Sequence, residues 1–296
     1  MNDPYRPRRA ARSTFVEARG LRHHVRSWGD PTATPVVMVH GWMDVSASFQ
    51  FVVDCLARER HVIAPDWRGF GLTARPAQAD CYWFPDYLGD LDALLDALLP
   101  DRPIDLVGHS MGGNVATLYA GVRPARIRRL VNLEGFGMRA TEATQAPERL
   151  REWLDALRTP ARMRDYDSPA AVAARLVQTN PRLPMDKALW LAGHWSARND
   201  AGRYELLGDA AHKLVNPYLY RVDEIVATWR RIEAPVLLVA ASDRGEWHRF
   251  VETDEYRERL RAIPKLERAT VAQAGHMLHH DQPERVASLI EEFFDA

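Results

Sequence analysis

The segment Gly108-His109-Ser110-Met111-Gly112-Gly113 constrains the fold of this chain more than any other. It follows the apolar run Ile104-Asp105-Leu106-Val107 without a linker and opens straight into a helical pattern from Asn114 to Ala120. A strand that turns into a helix this abruptly leaves no room for Cβ atoms where the two backbones cross, and the glycines on each side of the serine provide that room. Ser110 then sits on a strained turn with its Oγ exposed, and the helix N-terminus behind it stabilises negative charge developing there. The G-x-S-x-G spacing alone arises often by chance. The strand before it and the helix after it make Ser110 a candidate nucleophile.

Five short runs, Ile104 to Val107 among them, are nearly continuous in apolar residues; the others are Val36 to Val39, Val62 to Ala64, Leu130 to Leu133 and Val236 to Ala241. Such runs fit strands covered on both faces, as in a parallel sheet. Between them lie helical patterns, with Leu88, Leu91, Leu94, Leu95 and Leu98 on one face and Val286, Leu289, Ile290 and Phe293 on another. The alternation predicts a mostly parallel, doubly wound α/β sheet. Thr14 to Glu17 and His23 to Trp28 read as edge strands before it. The rhythm breaks once, over the roughly 100 residues between Glu134 and Pro235, whereas a crossover needs only about a dozen. A mostly helical cap is expected there, over the sheet edge where open α/β sheets bind ligands. The resulting division is a disordered arm over 1–12, a core made of 13–136 and 230–296, and a helical cap over 137–229.

With 296 residues the chain can bury a core without disulfide or metal staples. Cys55 and Cys81 lack CxxC spacing, which fits a reducing cytoplasm. The 39 basic and 40 acidic residues leave a net charge of −1, removing the broad positive field that nucleic-acid binding uses. No apolar run approaches the roughly 20 residues of a membrane-spanning helix. The expected partner is a small-molecule substrate, with no nucleic acid and no membrane.

His40-Gly41-Trp42 follows the strand Val36 to Val39, where a turn can aim a second backbone donor at an oxyanion; the N–H groups of Trp42 and Met111 are therefore the candidate oxyanion hole. A histidine base is expected late in the chain, between a last strand, Arg268 to Gln273, and a last helix opened by Gln282-Pro283-Glu284. Ala274-Gly275-His276 occupies that loop. His276 is preferred to His279 and His280, which lie away from the strand end.

Together, His40-Gly41-Trp42, Asp66-Trp67-Arg68-Gly69-Phe70-Gly71, the serine turn and Gly275-His276 resemble the α/β-hydrolase superfamily, over nearly the whole chain from Val36 to Phe294. The capped branch that includes serine-hydrolase-like proteins and haloalkane dehalogenases is most similar. The resemblance implies an α/β-hydrolase fold with a cap after the sixth strand, site residues in the order Ser, acid, His, and no cofactor. Dehalogenases and epoxide hydrolases of that branch use an aspartate nucleophile where this sequence has Ser110, which disfavours both reactions. The acid departs from the family pattern of a G-x-x-D step after the seventh strand. Here Leu237 to Ala241 runs into Ser242-Asp243-Arg244-Gly245-Glu246, with Asp243 one residue early. Glu134, in Leu133-Glu134-Gly135 at the end of the sixth strand, is the alternative, a position from which some relatives supply the acid. Asp243 is favoured. The implied reaction is hydrolysis of a small ester, thioester, lactone or amide through an acyl-enzyme. Carbon–carbon bond hydrolysis, perhydrolysis with the same residues, and a non-catalytic ligand receptor on the same fold stay open as alternatives.

No metal is expected. Asp86, Asp90, Asp92 and Asp96 read as the solvated face of a helix, and the group His276, His279, His280 and Asp281 is accounted for by the role of His276. Gly69 and Gly71 form no phosphate loop, because no lysine follows. Trp190, Trp195, Tyr204, Tyr218 and Tyr220 serve either as core fill or as an apolar wall for substrate.

Overall fold

The computed structural model describes residues 3–77, 81–159, 161–243 and 245–296. The strands are β1 (Arg12–Ala18), β2 (Leu21–Trp28), β3 (Pro35–Val39), β4 (His61–Pro65), β5 (Ile104–His109), β6 (Ile127–Leu133), β7 (Asp165–Tyr166), β8 (Ser196–Arg198), β9 (Tyr204–Leu206), β10 (Val236–Ala241) and β11 (Leu266–Val271). The α-helices are α1 (Gln50–Val53), α2 (Phe84–Leu98), α3 (Met111–Val122), α4 (Ala146–Arg158), α5 (Pro169–Thr179), α6 (Met185–Trp195), α7 (Val222–Trp229), α8 (Asp254–Leu260), α9 (Leu278–Asp281) and α10 (Pro283–Asp295). Eight strands form one sheet in the order β1-β2-β4-β3-β5-β6-β10-β11. The pairings from β4 through β11 are parallel, and β2 runs antiparallel to both β1 and β4.

The continuous apolar runs have the cause expected for a sheet covered on both faces. In β10, Val236, Leu238 and Ala240 join one core cluster, packed under α2, α3, α7 and α8, while Leu237, Val239 and Ala241 join the other, under α1 and α10. β3 divides the same way, with Val37 and Val39 on one side and Val36 and Met38 on the other. Full burial of one such side chain contributes about 1.5–3 kcal/mol. From β3 the chain pairs β4 on one side and then crosses to pair β5 on the other, so the strand order reverses beside β3. A crevice opens at the carboxyl ends of strands at such a point, and it is there that β3 delivers His40 and β5 delivers Ser110.

After β6 the chain leaves the sheet and returns at β10. The intervening segment carries α4 to α7 and a second, three-stranded sheet of order β7-β9-β8. These strands, of two or three residues, are too short to leave a period-2 pattern, which is why the sequence shows only helices here. Part of the segment has its own core: Val172, Leu176, Leu183, Leu191 and Ala192 pack around Tyr166 and Phe51. Two backbone bonds fasten it to the Asp66–Gly71 turn, from Gly71 N–H to the Leu207 carbonyl and from Asp209 N–H to the Gly69 carbonyl, each at 2.8 Å.

Two expectations are corrected by the structure. The described part of the arm is packed: Asp54 accepts from the backbone N–H groups of Arg8 and Arg9 at 3.0 and 2.9 Å, and the Tyr5 ring packs edge-on against Phe51 and Trp190. Asp90 is not on a solvated face. It is fully buried, with Arg68 bridging both its oxygens at 2.5 Å and Arg19 adding a contact at 2.9 Å. A buried carboxylate is tolerable when forked guanidinium groups meet it in this way.

Candidate active site

Gly108 and Gly112 show why the serine turn requires glycine. A Cβ on Gly108 would stand 2.5 Å from the Gly112 carbonyl oxygen, and one on Gly112 would stand 2.3 Å from that of Val39. Between them Ser110 is held at φ 52°, ψ −116°, a strained conformation for a residue with a Cβ. The turn is fixed from both sides, by Ser110 N–H donating to the Leu133 carbonyl at 2.8 Å and by Asn114 N–H donating to the Ser110 carbonyl at 3.0 Å.

From this turn the Ser110 hydroxyl donates to His276 Nε2 at 2.9 Å, and His276 Nδ1–H donates to Glu134 Oε2 at 3.1 Å. The elements that carry the three groups are β5, the loop after β11 and the end of β6. An imidazole whose Nδ1–H is held by a carboxylate presents its Nε2 lone pair to the hydroxyl, the arrangement that lets a serine lose its proton as it attacks. Glu134 is buried and has φ 59°, the second non-glycine residue of this group in the left-handed region. Its other oxygen accepts from Ala241 N–H at 2.6 Å, which ties the end of β6 to the end of β10.

The preference for Asp243 is corrected by this geometry. Its side chain is 62% exposed and paired with Arg182, and its contact with the His276 loop runs through its backbone, from Asp243 N–H to the Ala274 carbonyl at 3.0 Å. Arg244, the next residue, lies outside the described residues. The rival histidines point elsewhere. His279 and His280 are buried on α9, where His280 packs edge-on against Phe51.

The His40-Gly41-Trp42 turn passes close to the serine: a Cβ on Gly41 would stand 3.2 Å from Ser110 Cβ. Burial lowers the His40 pKa to about 4, so its ring is neutral, and its Nε2 accepts from Trp67 N–H at 3.0 Å while its carbonyl accepts from the Trp67 indole at 2.8 Å. The Asp66–Gly71 motif thus braces the turn. Met111 is the first residue of α3, where backbone N–H groups lack an intrahelical partner. The Trp42 side chain is half exposed and reaches the inserted segment through its indole, which donates to the His212 carbonyl at 3.3 Å. Trp190 packs on Tyr5, Phe51 and His194 as core fill.

His109, the residue inside the serine turn, has a role that the motif alone did not announce. Its Nε2–H donates to the His276 carbonyl at 2.9 Å, and the two rings lie 5.0 Å apart. Burial, with His279 and His276 beside it, pushes its pKa well below the usual imidazole value, so it is a neutral donor. His109→Leu should lower kcat by about ten- to a hundredfold with little change in KM, because small displacements of a base are costly. His109→Gln, which keeps a donor, should lose less. Parental kcat in both variants would show that this bond does not position the base.

The chain belongs to the alpha/beta hydrolase family, whose model matches residues 36–289, and it is a hydrolase of that family. It is similar to a serine hydrolase-like protein of Danio rerio, 28% identical over 274 residues that make up 90% of this chain and 83% of the relative. It is likewise similar to the 2-(acetamidomethylene)succinate hydrolase of Mesorhizobium japonicum, 28% identical over 261 residues and 88% of each chain. Among solved structures, the thioesterase domain from the curacin biosynthetic pathway superposes with a TM-score of 0.82 at 26% identity, covering 95% of this chain and 99% of that one. No helix among the described residues is long and apolar enough to cross a membrane.

Proposed function

We propose that this hydrolase cleaves a small carboxylic ester or thioester through an acyl-enzyme on Ser110. The observation that carries the reading is the continuous chain Ser110–His276–Glu134, with contacts of 2.9 and 3.1 Å. Ser110 Oγ attacks the carbonyl carbon and its proton passes to His276 Nε2. Glu134, accepting from Nδ1–H, holds the ring in the tautomer that leaves Nε2 free and stabilises the imidazolium that forms. The backbone N–H groups of Trp42 and Met111 receive the oxyanion, each worth about 2.7–4 kcal/mol of transition-state stabilisation. His276 then returns its proton to the departing alcohol or thiol; water deprotonated by the same nitrogen attacks the acyl carbon, and the proton passes on to Ser110 Oγ as the acid leaves. The segment 137–229 acts as a cap over the acyl side of the site. The thioester is included because of the similarity to a thioesterase domain at 26% identity.

A panel of p-nitrophenyl esters of graded acyl length, acyl thioesters, lactones and amides tests this reading. The expected result is saturable turnover with kcat/KM of about 10⁴ M⁻¹s⁻¹ or more for an ester or thioester. Folded protein that turns over neither class contradicts it.

A further inference from the structure

Behind His276 the fold gathers three ligand-type side chains from separate parts of the sequence: Asp44 after the His40 turn, His109 in the serine turn and His279 on α9. They are 3%, 1% and 0% exposed. One ligand atom from each lies within 4.8 Å of the others, and His279 Nε2 stands 3.9 Å from Asp44 Oδ2. Asp44 Oδ2, His109 Nδ1 and both ring nitrogens of His279 have no hydrogen-bond partner. The Trp195 indole N–H lies toward Asp44 but forms no hydrogen bond to it. Buried polar atoms are nearly always partnered, and a group of them this close together asks for a water or an ion as partner.

The groups around two of these side chains, His109 and Asp44, match those that orient metal ligands. A metal-bound histidine almost always donates its second N–H to a carbonyl or carboxylate, and its carboxylate companions are themselves hydrogen-bonded. His109 donates Nε2–H to the His276 carbonyl at 2.9 Å, which leaves Nδ1 as an unprotonated nitrogen beside Gly41. Asp44 Oδ1 accepts from Val45 N–H at 2.8 Å and from the Ser48 hydroxyl, which leaves Oδ2 free.

We propose that Asp44, His109 and His279 form a buried site for a zinc-class dication, seated behind the loop that carries His276. Two imidazoles and one carboxylate suit zinc, whereas calcium and magnesium take oxygen ligands. Zinc bonds of about 2.0–2.2 Å in tetrahedral geometry separate ligand atoms by roughly 3.4 Å, so closure needs about half an ångström from the 3.9 Å between His279 and Asp44 and up to about 1.4 Å from the 4.8 Å that bounds the other pairs. None of the three residues shares a motif spacing with another, which is why no metal is expected from the sequence. Bound metal holds His109 in the tautomer that supports the His276 carbonyl and makes no contact with substrate.

The test is metal content by mass spectrometry after refolding the full chain in zinc and desalting it, together with the melting temperature and the visible absorption of a cobalt-substituted sample. About one equivalent of zinc per chain is expected, with a melting temperature raised over a chelator-treated control and a cobalt spectrum of four-coordinate type. Asp44→Asn and His279→Gln, both close in shape to the originals, should retain less than about a tenth of an equivalent, and His276→Ala should retain the metal. Wild-type protein that holds no zinc and shows no shift overturns the proposal. Zinc lost in His276→Ala but kept in His279→Gln also overturns it, since the ion then sits in the active site. If both near-isosteric variants fail to fold, the stoichiometry of wild type and of His276→Ala decides.

Discussion

Glu134→Gln should lower kcat by three or more orders of magnitude while Asp243→Asn stays within about threefold of the parent. The magnitude is that of amide-for-acid replacement in a comparable triad, about 10⁴ in kcat. The structure gives the cause at the level of atoms. Glu134 Oε1 accepts from Ala241 N–H at 2.6 Å, so a glutamine that keeps this bond turns its NH₂ toward His276 Nδ1. Nδ1 must then accept, the proton moves to Nε2, and the nitrogen that should take the proton of Ser110 is already protonated. Asp243→Asn alters an exposed pairing with Arg182 and leaves the backbone bond to Ala274 in place. Thermal melts of both variants should precede the kinetics, because Glu134 also links β6 to β10. A dead Asp243→Asn beside an active Glu134→Gln would move the acid to the end of β10.

Ser110→Ala should lose at least about a thousandfold in kcat with the fold intact, since removing the nucleophile leaves only oxyanion stabilisation and substrate binding. The neighbouring glycines, not the serine side chain, satisfy the sterics of the turn, so the melting temperature should change little. Ester turnover by Ser110→Ala at the parental rate would remove Ser110 from the reaction.

The parts of the site legible in the sequence are those that local chemistry dictates. Gly108 and Gly112 are imposed by backbone crossing within five residues, and His276 by its place between the last strand and the last helix. The carboxylate that meets His276 was not legible because the choice depends on two neighbouring strand ends. β6 and β10 lie side by side in register, Leu133 opposite Val239, so both strand ends reach the His276 loop. A left-handed turn at Glu134 directs that side chain inward, whereas Arg182, from the inserted segment, draws Asp243 outward. The same limit applies to Asp90, whose helical position reads as solvated until Arg68 arrives from the turn after β4. Asp44, His109 and His279 meet only through the tertiary fold.

Intact mass spectrometry after exposure to a fluorophosphonate, followed by peptide mapping, tests most directly the claim that Ser110 is activated by His276 and Glu134. The expected result is one adduct per chain, mapped to Ser110, with labelling slowed at least about a hundredfold in His276→Ala and in Glu134→Gln. An unlabelled wild-type protein, an adduct on another residue, or undiminished labelling in the two variants would contradict the claim.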